Sequence, residues 1–327
     1  MFTKVGKEEI IDECAELIKK GEIVAFPTET VYGLGGDALN EDAVRKIYEA
    51  KNRPSDNPFI VHVSSIEEID KVAYLTDEAR LLFEKFTPGP LTIVLRKKDC
   101  IPSCVTAGLD TVGIRIPKHP MAREFLRKCG TPIAAPSANV SKRVSPTSAE
   151  YVYEDMNGRI PAIIDGGQCE VGIESTVISL ADDPIILRPG GITLEMLAPY
   201  LPKIHGFQGT VNIAPAPGMK YKHYAPIVPC VLYSTKENAV KEYKLRELQG
   251  SNPIILALEE DCIYFKERKL NCVSLGIDGT EFAHNIFEYL RKYEKESGYI
   301  IVQSLPEKGI GRSIMNRLNK SSAGIIV

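Results

Sequence analysis

Apolar positions along the first two hundred residues follow two different periods. Residues 7–20 carry apolar side chains at helical spacing and end at Gly21, which predicts an amphipathic helix. A short apolar run at 23–26 predicts a buried strand, and Asn40 and Thr76 stand where helix N-caps are expected. Further strand-like runs lie at 59–63, 91–95, 112–116, 133–135, 162–164, 176–180 and 185–187, with helical stretches at 121–128 and 148–156. Many strands with few regular crossover helices predict a mixed α/β sheet.

The pattern changes after residue 202. Residues 203–229 are rich in proline and glycine and show no long apolar period, which is typical of a linker or a functional loop. Beyond them, apolar runs at 228–233, 253–258, 272–275 and 299–305 alternate with helical stretches at 237–248 and 282–293. This alternation predicts a smaller, doubly wound α/β domain. We therefore predict domains at 1–202 and 230–327, joined by the linker 203–229.

Composition and charge exclude several classes of protein. Hydrophobic residues make up 44% of the 327, and 40 Lys plus Arg against 43 Asp plus Glu leave a net charge of −3. Disorder is excluded because long stretches poor in apolar residues or rich in one charge are missing, and no apolar run approaches the roughly 20 residues of a membrane span. A near-neutral chain is not expected to bind nucleic acid strongly through a general basic face. No secretory signal pattern is visible, so we expect a cytoplasmic protein whose eight cysteines are reduced and bind no zinc.

One motif imitates a dinucleotide-binding fingerprint. Gly33-Leu-Gly-Gly-Asp-Ala38 matches G-x-G-x-x-A. That fingerprint requires a strand running directly into the first glycine and a helix starting at the third position. Here residues 27–30 follow the strand, and the next helix is predicted only after Asn40. We therefore expect no Rossmann cofactor at this position, and the chain also lacks a P-loop motif.

Two polar segments at element ends are candidates for binding an anion. Lys51 and Arg53 follow a predicted helix, and a compact ammonium beside a guanidinium suits phosphate oxygens. The same cations would also be favoured at a solvated helix C-terminus, so this spacing alone leaves both interpretations open. Ser137 and Asn139 follow the strand at 133–135, where a phosphate or ribose contact and a capped turn are equally compatible.

Two strands contain an isolated polar residue. Arg115 alternates with valine and isoleucine in the run 112–116, so it must either pair internally or face a cavity that holds an anion. His62 stands in the run 59–63 in the same way, although an isolated strand histidine is more often a satisfied core or surface residue. Polar groups beside glycines recur at 172–176 and 188–191.

Taken in order, these motifs resemble the YrdC-like threonylcarbamoyl-adenylate synthases. Lys51-x-Arg53 and Ser137-x-Asn139 are similar to the Lys/Arg/Ser/Asn signature of that family. The resemblance also includes Phe26-Pro-Thr-Glu-Thr-Val-Tyr-Gly-Leu34, Pro88-Gly-Pro-Leu-Thr92, Ile133-Ala-Ala-Pro-Ser-Ala-Asn139 and Glu174-Ser-Thr-Val177. Residues 217–226 resemble the linker of the two-domain branch, and residues 311–318 resemble the end of its second domain.

The resemblance implies a fold and a reaction. It implies a YrdC-like twisted mixed α/β sheet with a concave active site, followed by a smaller Rossmann-like α/β domain. It implies an L-threonylcarbamoyladenylate synthase, a nucleotidyltransferase that makes threonylcarbamoyl-AMP and pyrophosphate from L-threonine, bicarbonate or CO₂, and ATP. Partner proteins then transfer the threonylcarbamoyl group to the N6 position of an adenosine in ANN-decoding tRNAs.

The resemblance also implies roles for individual residues. Lys51 and Arg53 would be catalytic and would hold the triphosphate. The other ATP contacts would be Asn57, Ser137, Asn139, Ser145 and Arg188, with His223 or Tyr224 of the linker closing over the nucleotide as a lid. L-Threonine would be held by Thr30, His62, Arg115 and Ser175, and by Thr111 as a weaker candidate. Mg²⁺ would accompany ATP, without an assigned protein ligand.

Two other functions are compatible with parts of the sequence. One is a module that binds double-stranded RNA or tRNA in a basic concavity, whose affinity should fall steeply with salt. The other is a carbamoyl-transfer module similar to a domain of hydrogenase-maturation proteins, which would be accompanied by an acylphosphatase-like domain and zinc-finger cysteine pairs. The sequence shows neither of these accompanying features.

Overall fold

A computed structural model describes residues 2–206 and 224–327 and divides the chain into two units. Among the described residues, the first unit comprises 2–141, 146–170 and 174–206, and the second comprises 142–145, 171–173 and 224–327. Two short segments of the N-terminal half of the chain are thus grouped with the C-terminal half. Most of the predicted linker 203–229 lies outside the described residues.

The first unit is built on one mixed sheet. Its eleven strands within residues 2–206 have the order β1-β8-β2-β3-β7-β4-β6-β5-β9-β10-β11, with parallel and antiparallel neighbours. The strands are β1 (Lys4–Gly6), β2 (Val24–Phe26), β3 (Gly33–Asp37), β4 (Ile60–His62), β5 (Leu91–Arg96), β6 (Thr111–Arg115), β7 (Ile133–Ala135), β8 (Ala162–Ile164), β9 (Thr176–Ser179), β10 (Ile185–Arg188) and β11 (His205–Gly206). The predicted mixed α/β sheet is confirmed.

The helices of the first unit begin where the sequence supplies caps. The Asn40 side chain accepts hydrogen bonds from the amides of Asp42 and Ala43, and Thr76 accepts one from Ala79, so both predicted N-caps are confirmed. The helices are α1 (Ile11–Lys19), α2 (Glu41–Lys51), α3 (Ile69–Val72), α4 (Asp77–Phe86), α5 (Ser103–Thr106), α6 (Pro120–Cys129), α7 (Ala149–Met156) and α8 (Leu194–Leu197), with 3₁₀ turns at Glu8–Ile10 and Ile66–Glu68.

The residues of the apparent dinucleotide fingerprint form strand β3. Residues 33–37 pair antiparallel with β2 and β7, and helix α2 starts only after Asn40, so the expectation of no Rossmann turn here is confirmed. Close packing explains the glycines: a Cβ on Gly35 would lie 2.7 Å from Cγ2 of Ile133 and 2.8 Å from the ring of Phe26. The packing of these neighbouring side chains therefore explains the glycine at this position.

The second unit contains a parallel sheet. Its four strands within residues 224–327 have the order β12-β15-β13-β14, and every pair is parallel, as a doubly wound domain requires. The strands are β12 (Cys230–Tyr233), β13 (Pro253–Ala257), β14 (Cys272–Ser274) and β15 (Tyr299–Gln303). The helices are α9 (Lys236–Leu248), α10 (Glu259–Glu267), α11 (Gly279–Glu296) and α12 (Ile310–Ser321). The predicted Rossmann-like arrangement is confirmed.

The cysteines differ from expectation at one place. Cys262 of α10 and Cys272 of β14 form a disulfide, so the prediction that all eight are reduced is wrong for this pair. The helix and strand are packed side by side, which brings the two Cα atoms to 5.5 Å, a spacing that a sequence separation of ten does not reveal. In the described residues, no helix has both the length and the apolar character needed to cross a membrane.

Candidate active site

A row of polar side chains crosses the centre of the large sheet. His62 of β4 is in register with Arg115 of β6, and Arg115 is in register with Thr92 of β5. Residues paired across neighbouring strands point to the same face of a sheet, so these three side chains share one face. All three are buried. A row of this kind within a sheet interior is expensive to bury and points to a binding function.

Arg115 is held by a carboxylate that the sequence did not identify. Its Nη2 lies 2.8 Å from Oε1 of Glu29, and both side chains are 5% exposed or less. The second oxygen of Glu29 accepts a hydrogen bond from the backbone amide of Lys118 at 2.9 Å. The Nε of Arg115 is buried and has no hydrogen-bond partner among the described residues. Of the two alternatives that the sequence left open for Arg115, the structure shows the internal pair, and the Nε–H is a donor that this pair does not use.

His62 is a neutral side chain in this site. Burial lowers the pKa of His62 to about 3, and the neighbouring Arg115 cation adds to the effect. The ring packs edge-on against Phe26, with 5.8 Å between centroids. Its Nδ1 is buried without a hydrogen-bond partner in the described part of the chain. A neutral imidazole can accept or donate one hydrogen bond there without adding charge.

We expect His62 to make the protein sensitive to acid. Its folded pKa of about 3 lies below the value near 6.5 of an unfolded histidine, so the unfolded chain alone takes up this proton between those pH values. Stability from this group is therefore complete above pH 6.5 and is lost as the pH falls toward 3. Between pH 7 and pH 5, the unfolding free energy from urea titration should fall about 2 kcal/mol further in the wild type than in His62→Gln. Equal losses in both proteins would contradict this, and the exposed His205→Gln variant should behave like the wild type.

The loop after β2 adds hydroxyl groups. Thr30 is fully buried, and its Oγ1 lies 2.9 Å from Oγ1 of Thr28. The Thr28 hydroxyl donates to the carbonyl oxygen of Val31 at 2.7 Å and also lies 3.5 Å from Nη2 of Arg115. Thr30, Glu29 and Arg115 are consequently parts of one connected cluster.

A second set of contacts joins the row formed by His62, Arg115 and Thr92 to Arg188. The hydroxyl of Thr92 lies 2.8 Å from that of Ser175. Nη2 of Arg188 donates to Oγ of Ser175 at 3.1 Å and to its carbonyl oxygen at 2.9 Å. Arg188 itself is buried. The structure therefore brings Ser175, predicted to bind threonine, into direct contact with Arg188, predicted to bind ATP.

Lys51, Ser137 and Asn139 form the third part of the site. Lys51 ends helix α2 and is 1% exposed. Its ammonium donates to the backbone carbonyl oxygens of Ser137 and of Asn139, the latter at 2.5 Å. The Ser137 hydroxyl donates to Oδ1 of Asn139 at 2.5 Å. Three residues of the signature, separated by almost ninety positions, thus converge on one loop that follows strand β7.

Arg53 lies on the segment that leads into β4. Its Nη2 donates to the carbonyl oxygen of Asn57 at 3.2 Å, and its guanidinium stands 5.3 Å from the ring centroid of Phe59. Asn52, between Lys51 and Arg53, adopts a left-handed conformation with φ 50°, which ends the helix and redirects the chain. The Oδ1 of Asn57 is buried and has no hydrogen-bond partner in the described residues. An oriented amide oxygen of this kind is suited to accept from a ligand.

The remaining predicted residues are placed differently. Thr111 and Arg115 stand at opposite ends of β6, which separates them by about 13 Å along the strand, so the structure does not bring Thr111 to the Arg115 cluster. Ser145 and Tyr224 are buried and belong to the second unit. His223 lies outside the described residues, as does most of the predicted lid. In the described residues, no group of three His, Cys, Asp or Glu side chains could hold a metal ion.

Sequence reasoning missed three residues of the site. Thr28, Glu29 and Thr92 stood inside the quoted motifs but received no role. The available signal for Thr92 was its polarity within an apolar run, the same signal that identified Arg115. Glu29 carried no such signal, because a carboxylate between two threonines reads as a solvated loop until its partner, 86 positions away, is known.

Comparison with known proteins agrees with this architecture. The family described as "Telomere recombination" matches residues 16–190, and the "Threonylcarbamoyl-AMP synthase, C-terminal domain" matches residues 192–323. Threonylcarbamoyl-AMP synthase of Bacillus subtilis is 43% identical over 97% of this chain and 94% of its own. The enzyme of Schizosaccharomyces pombe is 36% identical over 96% of this chain and 88% of its own. The crystal structure of Pyrococcus abyssi Sua5 complexed with L-threonine superposes with a TM-score of 0.90 at 39% identity, covering 100% of this chain and 98% of that one.

The two-domain fold and the similarity to relatives over nearly the whole chain define an enzyme of the transferase class. The chain belongs to the threonylcarbamoyl-AMP synthase family, which its similarity to full-length relatives establishes. The fold and family implied by the sequence motifs are therefore confirmed.

Proposed function

We propose that this protein makes threonylcarbamoyl-AMP and pyrophosphate from L-threonine, bicarbonate or CO₂, and ATP. The observation that carries the proposal is the contact of Ser175 with Arg188, at 3.1 Å between Oγ and Nη2. This contact joins Ser175, which is suited to bind an amino acid, to Arg188, a cation that is suited to bind a nucleotide. Adenylation requires such adjacency, because the carbamate whose oxygen attacks the α-phosphate is formed on the amine of threonine.

The threonine side of the site would use Arg115 for the carboxylate. Its Nε has no partner among the described residues, and Glu29 holds the guanidinium through Nη2. The hydroxyl groups of Thr30 and Ser175 and the neutral ring of His62 would complete the contacts. The amine nitrogen then attacks CO₂, forming an N–C bond and releasing a proton to give the carbamate.

The nucleotide side would use Lys51 and Arg53. A carbamate oxygen attacks the α-phosphorus, and the bond to the pyrophosphate leaving group breaks. Because two anions must approach each other, fixed positive charge supplies more of the catalysis than a general base does. Ser137, Asn139, Asn57, Ser145 and Arg188 would hold the nucleotide, and Mg²⁺ would arrive with the phosphates of ATP. The described residues offer no carboxylate cluster for the ion, and we assign it no protein ligand.

The product would serve tRNA modification. Partner proteins would transfer the threonylcarbamoyl group to an adenosine of ANN-decoding tRNAs, and a cytoplasmic location is part of this proposal. The linker, through His223 or Tyr224, would act as a lid that keeps water from the hydrolysable product.

Incubation of the full chain with ATP, L-threonine and labelled bicarbonate tests the function. We expect pyrophosphate release that depends on threonine, together with a labelled threonyl adduct of AMP. Release that is the same with and without threonine would contradict the assignment. Tight, strongly salt-dependent binding of tRNA without threonine-dependent turnover would favour the RNA-binding alternative instead.

A further inference from the structure

Helix α11 of the second unit carries a stripe of buried groups that the reaction described above does not use. Phe287, Arg291 and Glu294 recur at spacings of four and three residues, so they share one face of the helix. All three are buried, and two are charged. Buried charges are unfavourable unless they are paired and hydrogen-bonded, so their partners indicate what the stripe does.

Arg291 holds the segment that ends at Ser145. Its side chain is fully buried, and its Nε and Nη2 both donate to the carbonyl oxygen of Val144, at 3.0 and 2.5 Å. Val144 precedes Ser145 directly, and both are buried. Two donors on one carbonyl oxygen fix the direction of the peptide that leads into Ser145.

Glu294 joins two segments. Its Oε1 lies 2.5 Å from Nη2 of Arg143, and its Oε2 accepts a hydrogen bond from the amide of Ile227 at 2.8 Å. Arg143 belongs to the same short segment as Ser145, whereas Ile227 follows Tyr224. One carboxylate therefore links the chain around Ser145 to the C-terminal end of the linker 203–229.

The same face holds Tyr224 itself. The ring of Tyr224 stacks on Phe287, with 5.3 Å between centroids and 20° between planes. The amide of Ala225 donates to the carbonyl oxygen of Lys142 at 3.2 Å. Residues 142–145 and 224–227 are thus bound to each other as well as to the helix.

We propose that α11 is a platform that positions two ATP contacts, Ser145 and Tyr224, and that Arg291 is its principal positioning residue. This inference rests on the proposed function, which assigns both residues to ATP. It gives the second domain a role in nucleotide affinity, although that domain contributes no reacting group. Arg291 acts through the backbone of Val144 and is not assigned a contact with substrate.

Substitution of Arg291 by methionine tests the platform. In the full chain, the KM for ATP in pyrophosphate release should rise at least tenfold, while the KM for L-threonine stays within twofold. A merely structural role would reduce the amount of active enzyme and lower kcat, leaving both KM values unchanged. Arg291→Lys keeps a donor and should recover part of the ATP affinity.

The exposed neighbour Lys292 provides a matched control on the same helix. Lys292→Met removes a cation of similar length from another face, so its KM for ATP should equal that of the wild type. An unchanged KM for ATP in Arg291→Met, or an equal rise in Lys292→Met, would overturn the proposal. If Arg291→Met does not fold, Arg143→Gln, at a partly exposed position, takes its place with the same expected rise and the same contradicting result.

A direct ATP-binding measurement separates this inference from the proposed function. If the wild type releases no pyrophosphate with threonine, the proposed function fails, and equilibrium dialysis of ATP against the wild type and the variants still tests the platform. If the wild type is active and the variants bind ATP as tightly as it does, only the platform fails.

Discussion

Lys51→Met should lower kcat for threonine-dependent pyrophosphate release by a factor of about 10²–10³, the usual effect of removing one preorganised group that stabilises transition-state charge. Lys51 is 1% exposed and is held by the carbonyl oxygens of Ser137 and Asn139. Its ammonium is therefore fixed before the substrates arrive, and no solvent has to reorganise as negative charge develops. Steady-state kinetics with both substrates saturating would measure the change.

Lys46 is the matched control for this experiment. It lies on the same helix α2 and forms a partly exposed ion pair with Glu22 at 2.7 Å. Lys46→Met should keep kcat within twofold of the wild type, because exposed pairs of this kind contribute little. Retention of more than a tenth of the activity by a folded Lys51→Met variant would remove Lys51 from the catalytic machinery.

The elements that sequence reasoning predicted well are those whose signals are local. Asn40 and Thr76 start helices because their own side chains bind the first amides, a contact that spans two or three residues. The run 133–135 forms a buried strand because its own residues are apolar throughout. Signals that span so few residues can be recognised without knowing which other residues lie nearby in the folded protein.

The elements that escaped prediction depend on distant neighbours. Strand β3 contains three glycines in five residues and has no apolar alternation. The need for glycine in this strand is explained only by Phe26 and Ile133, whose side chains occupy the volume that a Cβ on Gly35 would need. Helix α10 was not predicted, because its first turn carries three acidic residues and its buried face packs against strand β14, a neighbour that the sequence does not reveal.

The residues of the candidate site also divide into those that have a local sequence signal and those that do not. Arg115 and His62 could be found because each interrupts an apolar strand. Their neighbour Thr92 was recognised only through the strand register, and its contact with Ser175 bridges 83 positions. The resemblance to a family supplied the remaining residues, and it could not reveal that α11 binds the segments of Ser145 and Tyr224. That arrangement depends on which residues the fold groups together, not on any motif.

Arg115→Met should raise the KM for L-threonine by a factor of about 10–100, because a hydrogen bond to a charged group contributes about 1.5–3 kcal/mol. The same substitution should lower the free energy of unfolding by about 3–5 kcal/mol, since it leaves the buried carboxylate of Glu29 without its ion pair. These two effects have different causes, and a second substitution separates them. Glu29→Gln removes the charge and keeps an oxygen that can accept from the amide of Lys118.

In the double variant Arg115→Met, Glu29→Gln, urea unfolding should show most of the lost stability restored, because no unpaired charge remains buried. The KM for threonine should stay as high as in Arg115→Met, because the group that binds the carboxylate is still absent. Lys118→Met, at an exposed pair with Glu170 in the adjoining loop, should change neither quantity. Recovery of threonine affinity together with stability would mean that Arg115 supports the fold only, and that another cation receives the substrate.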